Sequence, residues 1–387
     1  MRLEPPSWWY SERIPLAAWA LWPLSVLYGG LAKRRFRTAS PYRSKLPVIC
    51  VGNFTMGGAG KTPVALKLAS MLRDAGMRPG FLTRGYGGSE RGPHLIDVAA
   101  DGANRVGDEP LLLARVGPTV VSRDRPAGAK LLETLQLDVI IMDDGFQNPS
   151  LEKDFSLVAV DAGAGVGSGH VFPLGPLRAP LAFQLQKADA VILLGAQDRT
   201  NAAELIRQKS EACRGAPLPV FTAKIVPAVT KEMRARPVLA FCGIGRPGKF
   251  FDTLRDAGLA VAKTRAFPDH HSFNEDEARA LLAEASALHA GLMTTEKDHA
   301  RLRGTDGARG ELYRSAVPLP IDVDITECEA QLLNIIRNAV REPEPLAILT
   351  WPAGAPDGGA VTLAHSHRAP GKPRSNSEDP RCGSAPR

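Results

Sequence analysis

Cysteine is scarce in this chain and is not placed for a structural metal site. The 387 residues include five cysteines, with no pair at C-x-x-C spacing and no histidine at a zinc-finger distance. A structural zinc ion would need four ligands converging from distant segments. The cysteines are Cys50, Cys213, Cys242, Cys328 and Cys382. The sequence therefore argues against structural zinc and fits a reducing compartment.

The N-terminal uncharged run falls just short of a membrane-spanning length. It extends from Pro15 to Ala32 and is interrupted by Pro23, whereas a spanning helix needs about 20 apolar residues. Tryptophan and tyrosine lie in and beside the run, and basic residues follow from Lys33, a pattern typical of a membrane boundary. We expect a membrane-associated helix, spanning or interfacial, with the next domain in the cytoplasm. A buried helix and a cleaved signal peptide are the alternatives.

The charge balance is basic but gives no evidence for nucleic-acid binding. The 48 lysines and arginines outnumber the 41 acidic residues, for a formal charge of +7, which favours anionic partners without choosing among them. Basic clusters with interleaved aromatic residues are lacking outside residues 33–45 and the tail. We expect no nucleic-acid partner and predict no obligate protein partner.

Short apolar runs alternate with helical patterns through most of the chain. This rhythm predicts parallel strands joined by helices. The first set of strands is expected at 47–52, 78–83, 119–122, 139–142, 157–160 and 190–194. A second set begins near Pro237, with strands at 238–242, 259–264 and 292–294 and a last strand and helix within 319–340. The expected units are an N-terminal helix with its basic flank (1–45), a core (46–232), a smaller α/β lobe (233–341) and a disordered tail (342–387).

A glycine-rich loop between the first strand and its helix predicts nucleotide binding. Phosphates need backbone N–H groups turned inward before a helix N-terminus. The loop residues are Gly57, Gly58, Ala59, Gly60, Lys61, Thr62 and Pro63. Lys61 is expected to reach the β- and γ-phosphates of ATP, and Thr62 to bind Mg²⁺. Thr55 stands where the strict pattern has glycine, so the loop is a variant.

A second strand ends in two carboxylates that suit the metal. Four apolar residues precede Asp143 and Asp144, and an acidic residue in this position can hold Mg²⁺ through water. A turn or helix-capping Asp pair is the alternative. With the phosphate loop, this predicts an α/β fold with a P-loop NTPase-like, mostly parallel sheet, a second, smaller lobe and the N-terminal helix.

Several glycine turns with clustered polar residues follow in a fixed order. They are Thr83-Arg84-Gly85-Tyr86-Gly87-Gly88, Gly107-Asp108-Glu109-Pro110, Asp144-Gly145-Phe146-Gln147, Gly175-Pro176-Leu177-Arg178, Phe267-Pro268-Asp269-His270 and Thr294-Thr295-Glu296-Lys297-Asp298. In these motifs the chain resembles the tetraacyldisaccharide 4'-kinase family of lipid A biosynthesis, from about residue 23 to 303. The resemblance implies transfer of the ATP γ-phosphate to the 4'-hydroxyl of an acylated glucosamine disaccharide 1-phosphate, giving lipid IVA. The expected place is the cytoplasmic face of the bacterial inner membrane, whose anionic lipid surface is the second partner.

The resemblance also implies roles for single residues. Asp108 and His270 match the family's acid–base pair, in which a carboxylate accepts the proton of the acceptor hydroxyl. Glu109 matches a further metal-facing carboxylate beside Asp143 and Asp144. Arg125, Gln147 and Arg178 match substrate-binding positions near the transferred or acceptor phosphate. For Asp108 a helix cap, for His270 an exposed loop histidine, and for the arginines a solvated surface position are the alternatives.

Two positions depart from the family pattern. Asn148 stands where the family usually has histidine, and Ala179 where it usually has glutamate, so acceptor contacts are expected to differ there. A membrane-associated P-loop switch or ParA-like ATPase is the alternative function. It accounts for the loop, the Asp pair and the basic helix, but not for an acid–base pair or a second lobe.

Overall fold

Two β-sheets organise the part of the chain that the computed structural model describes, residues 5–340 except 12, 59 and 196–199. The strands are β1 (Val48–Gly52), β2 (Pro79–Thr83), β3 (His94–Leu95), β4 (Thr119–Val121), β5 (Val139–Asp143), β6 (Phe155–Asp161), β7 (Ala190–Leu194), β8 (Val220–Pro227), β9 (Val238–Cys242), β10 (Val261–Ala266), β11 (Gly291–Thr295), β12 (Ala316–Leu319) and β13 (Ile321–Asp324). The predicted tail, 342–387, lies outside the described residues.

The helices of the same residues cover both sheets. They are α1 (Trp22–Thr38), α2 (Lys61–Asp74), α3 (Ala103–Val106), α4 (Asp108–Ala114), α5 (Arg125–Leu132), α6 (Leu181–Leu185), α7 (Thr200–Arg214), α8 (Lys231–Arg234), α9 (Pro247–Asp256), α10 (Glu275–Ala287), α11 (Glu296–Leu302), α12 (Gly307–Ser315) and α13 (Glu329–Ala339). Two short 3₁₀ helices, Ser7–Tyr10 and Leu16–Leu21, precede α1.

The larger sheet places the ends of its central strands side by side. Its order is β13-β8-β7-β6-β1-β5-β2-β4-β3, and all neighbours pair in parallel except the edge strands β3 and β13. Strands β1 and β5 are buried along their whole length, as expected where helices cover both faces. The carboxyl ends of β1, β5, β2, β4 and β6 therefore meet at one edge, where sites form in such sheets.

The smaller sheet is wholly parallel and has the order β10-β9-β11-β12. Apolar side chains from α10 and α12, such as Leu281 and Leu312, pack on one face, and Phe250 and Leu254 of α9 pack with residues of β9 in a separate cluster. Helix α11 begins directly after β11, so its first turn lies at the carboxyl edge of this sheet.

The last strand pairs with the larger sheet, and the last helix packs beside that sheet. The prediction that both belong to the smaller lobe was wrong. Strand β13 pairs antiparallel with β8 from Ile321↔Pro227 to Asp324↔Lys224. Ile325, Leu332 and Ile336 join the buried cluster around α2. The physical reason is that the apolar face of α13 must be buried, and it packs against apolar side chains of α2. The chain thus leaves the larger sheet after β8 and returns to it at β13.

One side of the N-terminal helix packs on the loop before α6. The Ser25 hydroxyl of α1 accepts a hydrogen bond from the Leu174 amide at 3.0 Å. Gly29 of α1 lies so close that a Cβ there would be 3.2 Å from Pro180 Cγ. Tyr28 and Phe36 make edge-on ring contacts with Phe172 and Phe183. Gly29 therefore permits a close approach of this helix to the body of the protein.

The other sides of the same helix carry exposed apolar residues. Leu24, Val26, Leu27 and Leu31 are each more than half exposed, and Trp22 is 52% exposed. No helix among the described residues combines the length and the apolar character needed to cross a bilayer.

Candidate active site

The phosphate loop connects the buried strand β1 to the N-terminus of α2. Gly57 and Gly60 have φ of +100° and +76°, in the region that favours glycine. A Cβ at Gly60 would lie 2.5 Å from Leu194 Cδ1 on β7. Gly57 also accepts a hydrogen bond from the Asn53 side-chain amide at 3.1 Å. The loop conformation therefore favours glycine, and at Gly60 a side chain would also have to displace the Leu194 methyl group.

Backbone hydrogen bonds attach the loop to the segment before α6. The Met56 amide donates to the Pro176 carbonyl at 2.8 Å, and the Arg178 amide donates to the Phe54 carbonyl at 2.9 Å. Of the other predicted loop residues, Gly58 is exposed and Pro63 lies in the first turn of α2, where proline fits a helix start. Ala59 lies outside the described residues.

Lys61 and Thr62 at the start of α2 face the end of β5. The Thr62 hydroxyl donates to Asp143 Oδ2 at 3.2 Å. The Lys61 ammonium lies 3.9 Å from Asp144 Oδ1, and its side chain is 8% exposed. The structure thus brings together the phosphate loop and the acidic pair that the sequence predicted separately.

Asp143 has the properties of a cation-binding carboxylate. It is buried, and its Oδ1 has no hydrogen-bond partner among the described residues. Burial, followed by the charges of Glu109 and Asp144, raises the pKa of Asp143 to about 7. Among the described residues, no three carboxylate, histidine or thiol side chains form a metal cage. The arrangement fits Mg²⁺, which typically takes one or two carboxylates and completes its shell with phosphates and water.

Asp144 combines a left-handed backbone conformation with two neighbouring cations. Its φ is +51°, in the region that favours glycine but that aspartate also adopts. Arg178 donates to Asp144 Oδ1 at 3.1 Å. Burial opposes the charge of Asp144, but Lys61 and Arg178 hold its pKa below the ordinary value. Asp144 is therefore an ionised carboxylate beside the phosphate loop.

Arg178 and Gln147 join this acidic end to the phosphate loop. Arg178 Nε donates to the Thr55 carbonyl at 3.0 Å, and Arg178 Nη1 donates to Gln147 Oε1 at 3.2 Å. The Gln147 amide donates to the Asn53 carbonyl at 2.7 Å. Both predicted residues thus lie at the site and contact its loop.

Arg125, in contrast, is buried below the site. Its side chain is 2% exposed, its Nη1 donates to the Ser122 carbonyl, and its Nε has no partner among the described residues. Burial lowers the pKa of Arg125 to about 10, although Asp144 nearby opposes this. Direct contact with a substrate phosphate is not available to Arg125 in this conformation, because the guanidinium is enclosed at the end of β4.

Asp108 and His270 come from different sheets and meet at this edge. Asp108 is the first residue of α4 and is 3% exposed. Its Oδ2 lies 3.5 Å from His270 Nδ1. His270 has a φ of +57°, and its ring packs edge-on against Tyr86 at 5.2 Å between centroids. The structure thus places side by side two residues that are far apart in the sequence and that the resemblance had paired; their catalytic role stays a prediction.

The charge of Asp108 is stabilised by its surroundings. Burial alone would raise the pKa of Asp108, but its contact with His270 and the charges of Arg301 and Lys297 hold it well below its usual range. Asp108 Oδ1 also accepts a hydrogen bond from the Glu109 amide at 3.0 Å. The carboxylate is therefore ionised at neutral pH.

Two cations of α11 complete the site, and sequence reasoning assigned a role to neither. Lys297 pairs with Glu109, and Arg301 pairs with Asp108. Lys297 belongs to a motif that the sequence analysis singled out, whereas Arg301 lies just beyond it. Their spacing of one helical turn was the available signal, since residues four apart share a helix face.

The two departures from the family pattern make local contacts. Asn148 Oδ1 accepts hydrogen bonds from the amide and the hydroxyl of Ser150, at 2.8 and 2.7 Å. Ala179 is buried, and its carbonyl accepts a hydrogen bond from the Gln184 amide group at 2.7 Å. The Asn148 side chain thus contacts Ser150, whereas at position 179 the hydrogen bond is made by the backbone.

Comparison with known proteins gives one consistent result. Residues 17–340 match the family described as tetraacyldisaccharide-1-P 4'-kinase. A tetraacyldisaccharide 4'-kinase from Methylobacterium sp. is 51% identical over 303 residues, which cover 78% of this chain and 89% of the relative. Another from Methylobacterium nodulans is 48% identical, over 89% of this chain and 98% of the relative.

A solved structure shows the same fold. The "apo" form of LpxK from Aquifex aeolicus in complex with ATP superposes with a TM-score of 0.66 at 26% sequence identity, covering 84% of this chain and all of that chain. The predicted fold class, an α/β fold with a P-loop NTPase-like sheet, is confirmed by this likeness.

Proposed function

This chain belongs to the tetraacyldisaccharide-1-P 4'-kinase family, and on that premise we propose how its site performs the reaction. The protein is an ATP-dependent kinase that phosphorylates the 4'-hydroxyl of the tetraacyldisaccharide 1-phosphate precursor of lipid A, giving lipid IVA. The proposed mechanism rests on one observation. A phosphate loop with its acidic strand end and an ionised, histidine-paired carboxylate lie at the same edge of one sheet.

The phosphate loop and α2 hold the nucleotide. ATP binding is supported by the ATP complex of the structural neighbour. The backbone N–H groups of the described loop residues, Gly57, Gly58 and Gly60 to Thr62, bind the phosphates, and the Lys61 ammonium, 3.9 Å from Asp144, reaches the β- and γ-phosphates. Mg²⁺ would be held by Thr62 and Asp143, with Asp144 and Glu109 contributing negative charge nearby. When bound, Mg²⁺ neutralises the charge on the transferring phosphoryl group.

Asp108 accepts the proton of the acceptor hydroxyl. As the 4'-oxygen forms its bond to the γ-phosphorus, its O–H bond breaks towards Asp108, and the bond between the γ-phosphorus and the β–γ bridging oxygen breaks to release ADP. His270 orients the carboxylate from 3.5 Å. The ionised state of Asp108 in the resting site supports this role.

Arg178 and Gln147 position phosphate and acceptor. The Arg178 guanidinium lies between Asp144 and the Thr55 carbonyl of the loop, where a planar fork of donors suits a phosphate. Arg125 supports the same region from below the site through its charge. Gln147 fixes the loop through the Asn53 carbonyl.

The N-terminal helix binds the anionic surface of the inner membrane on its cytoplasmic face. Leu24, Leu27 and Leu31 recur at helical spacing and are 54%, 59% and 55% exposed. Basic side chains, including exposed Arg34, Arg35 and Arg37, follow in the last turns of α1. An apolar face beside basic residues is typical of a helix that lies in the interface. This location brings the site to an acylated acceptor.

Vesicle flotation tests the membrane proposal. Replacing Leu24, Leu27 and Leu31 with serine should move most of the protein out of the floating fraction of phosphatidylglycerol-containing vesicles, since each buried leucine contributes about 1.5–3 kcal/mol. The matched control replaces three exposed apolar residues elsewhere, Leu95, Val226 and Val317. Equal flotation of both variants would show that α1 is not the membrane-binding element.

The alternative of a membrane-associated P-loop switch or ParA-like ATPase is not favoured by the comparisons. The two functions differ in the fate of the γ-phosphate, which a switch releases as inorganic phosphate.

A phosphotransfer assay with a base variant tests the proposed mechanism. Purified protein is incubated with γ-labelled ATP, Mg²⁺ and the acylated disaccharide 1-phosphate in detergent. Asp108→Ala should lower transfer to the lipid by about 10²–10⁴-fold, the range expected for loss of a general base. The control is Asp252→Ala, because Asp252 is exposed on helix α9 beside the smaller sheet. Unchanged transfer by Asp108→Ala would exclude Asp108 as the base.

A further inference from the structure

The guanidinium of Arg301 bridges the two sheets at the proposed base. Arg301 lies on α11, after the last strand but one of the smaller sheet, and its side chain is 9% exposed. Its Nη2 contacts Asp108 Oδ2 on α4, the helix that precedes β4 of the larger sheet. The same nitrogen lies 3.3 Å from His270 Nδ1. One nitrogen of Arg301 therefore touches both members of the proposed pair.

The other end of the guanidinium is fixed by residues that follow strands of the smaller sheet. Arg301 Nη1 donates to the Gly243 carbonyl at 2.8 Å and to Asp298 Oδ1 at 2.5 Å. Asp298 is completely buried and accepts hydrogen bonds from the Gly243 amide at 3.1 Å and the Thr295 hydroxyl at 2.5 Å. A planar fork held at two points leaves the third point, at Asp108, little freedom to move.

The same carbonyl also fixes His270. The His270 amide donates to the Gly243 carbonyl at 3.0 Å, so the backbone of His270 and the guanidinium of Arg301 share one acceptor. A Cβ at Gly243 would lie 2.9 Å from His271 Cβ and 3.2 Å from Asp298 Oδ1. The turn at Gly243 thus sets the separation between the histidine and the arginine.

Helix α11 aligns with the first turn of α4 through a second ion pair. Lys297, one turn before Arg301, pairs with Glu109, the residue after Asp108. Between the two cations, Ala300 is buried in an apolar cluster with Val106 and Leu111. Two charge pairs around an apolar contact define one register between the two helices.

We propose that Arg301 is a positioning residue, which holds Asp108 and His270 in the mutual geometry needed for proton transfer. The inference rests on the proposed role of Asp108 as the base. Arg301 is engaged at both ends and is nearly buried, so it acts through Asp108 and not by binding substrate. Its loss should lower kcat and leave the KM for ATP unchanged.

Two substitutions separate charge from geometry. Arg301→Lys keeps the positive charge but cannot reach Asp108, Asp298 and the Gly243 carbonyl together, whereas Arg301→Gln removes the charge. We expect kcat to fall about 10-fold in Arg301→Lys and about 100-fold or more in Arg301→Gln, since small misplacements of reacting groups cost on this scale. The KM for ATP should stay within about twofold of wild type, because the phosphate loop is untouched.

The matched control is Arg265→Lys. Arg265 makes an exposed forked pair with Glu284 in the same lobe, at 2.8 and 2.7 Å, and its replacement should change neither kcat nor KM. Thermal melting of every variant accompanies the kinetics.

The results distinguish this inference from the proposed function. If wild type transfers phosphate to the lipid and Asp108→Ala does not, but both Arg301 variants keep wild-type kcat, the positioning role is wrong and the base assignment stands. If both Arg301 variants lose activity only in step with a lower melting temperature, the role is structural and the inference fails. If Asp108→Ala is fully active, the proposed base itself fails.

Discussion

Replacing Gly60 with alanine is predicted to damage ATP binding by displacing the phosphate loop. Gly60 precedes the first residue of α2 and has a φ of +76°. An alanine Cβ there would lie 2.5 Å from Leu194 Cδ1, which belongs to the buried strand β7. Two separate penalties therefore act against the conformation that presents the loop amides to phosphate.

The expected magnitude is the sum of these penalties. The left-handed conformation costs an alanine about 1–2 kcal/mol, and forcing a methyl group into a packed interior costs about 1–3 kcal/mol. If the loop relieves a total of about 2–5 kcal/mol by moving, ATP affinity falls by roughly 30-fold to 4,000-fold, since about 1.4 kcal/mol corresponds to a factor of ten.

Isothermal titration with ATP and Mg²⁺ measures this effect, and Gly76→Ala provides the matched control. Gly76 follows the other end of α2, has a φ of +84°, and has open space where a Cβ would lie. Its replacement should cost about 1–2 kcal/mol of stability with no change in ATP affinity. An ATP affinity for Gly60→Ala within threefold of wild type would refute the argument that this loop conformation requires glycine.

Three further predictions concern the metal, the arginine fork and the N-terminal helix. The pKa of Asp143 is raised to about 7, so the carboxyl is protonated below that pH and Mg²⁺ must displace the proton. Half-saturating Mg²⁺ in the transfer assay should rise by up to about tenfold per pH unit below 7, and a constant value from pH 8 to 6 would contradict this. Arg178→Lys loses the fork between Asp144 and the loop and should raise the KM for ATP roughly tenfold; an unchanged KM would exclude Arg178 from nucleotide positioning. Ser25→Ala leaves the Leu174 amide without its acceptor and should destabilise the fold by about 1–3 kcal/mol in thermal melting, whereas exposed Thr38→Ala should have little effect.

The central strands and the nucleotide site could be predicted because buried parallel strands appear in the sequence as apolar runs, and the site residues follow directly after them. Strands such as β1, β5 and β7 are buried along their length and appear in the sequence as continuous apolar runs. Since they are parallel, the polar residues that follow them must meet at one edge. The contact between Thr62 and Asp143 follows from that arrangement.

Strand β8, which is absent from the predicted set, lacks such a pattern. It is only partly buried, so its apolar residues do not form a continuous run, and it ends at Pro227. The return of β13 to the larger sheet depends on pairing with β8, and a short strand with alternating exposure does not specify its partner.

The partners of charged side chains also could not be read from the sequence. Arg301 and Lys297 contact residues that precede them by 193 and 188 positions, and only the fold brings these segments together. Arg125 shows the converse. The resemblance to the kinase family suggested substrate contact, but the Arg125 side chain is buried, and the direction of a side chain is not determined by residue spacing.

The position of the transferred phosphate on the lipid product is the most direct test of the 4'-kinase activity. The acceptor is incubated with ATP, Mg²⁺ and the purified protein, and the lipid product is analysed by phosphorus–proton correlation NMR. We expect one new phosphomonoester whose phosphorus couples to the proton at C4' of the disaccharide. A new phosphomonoester at another hydroxyl, or release of the γ-phosphate only as inorganic phosphate, would contradict it.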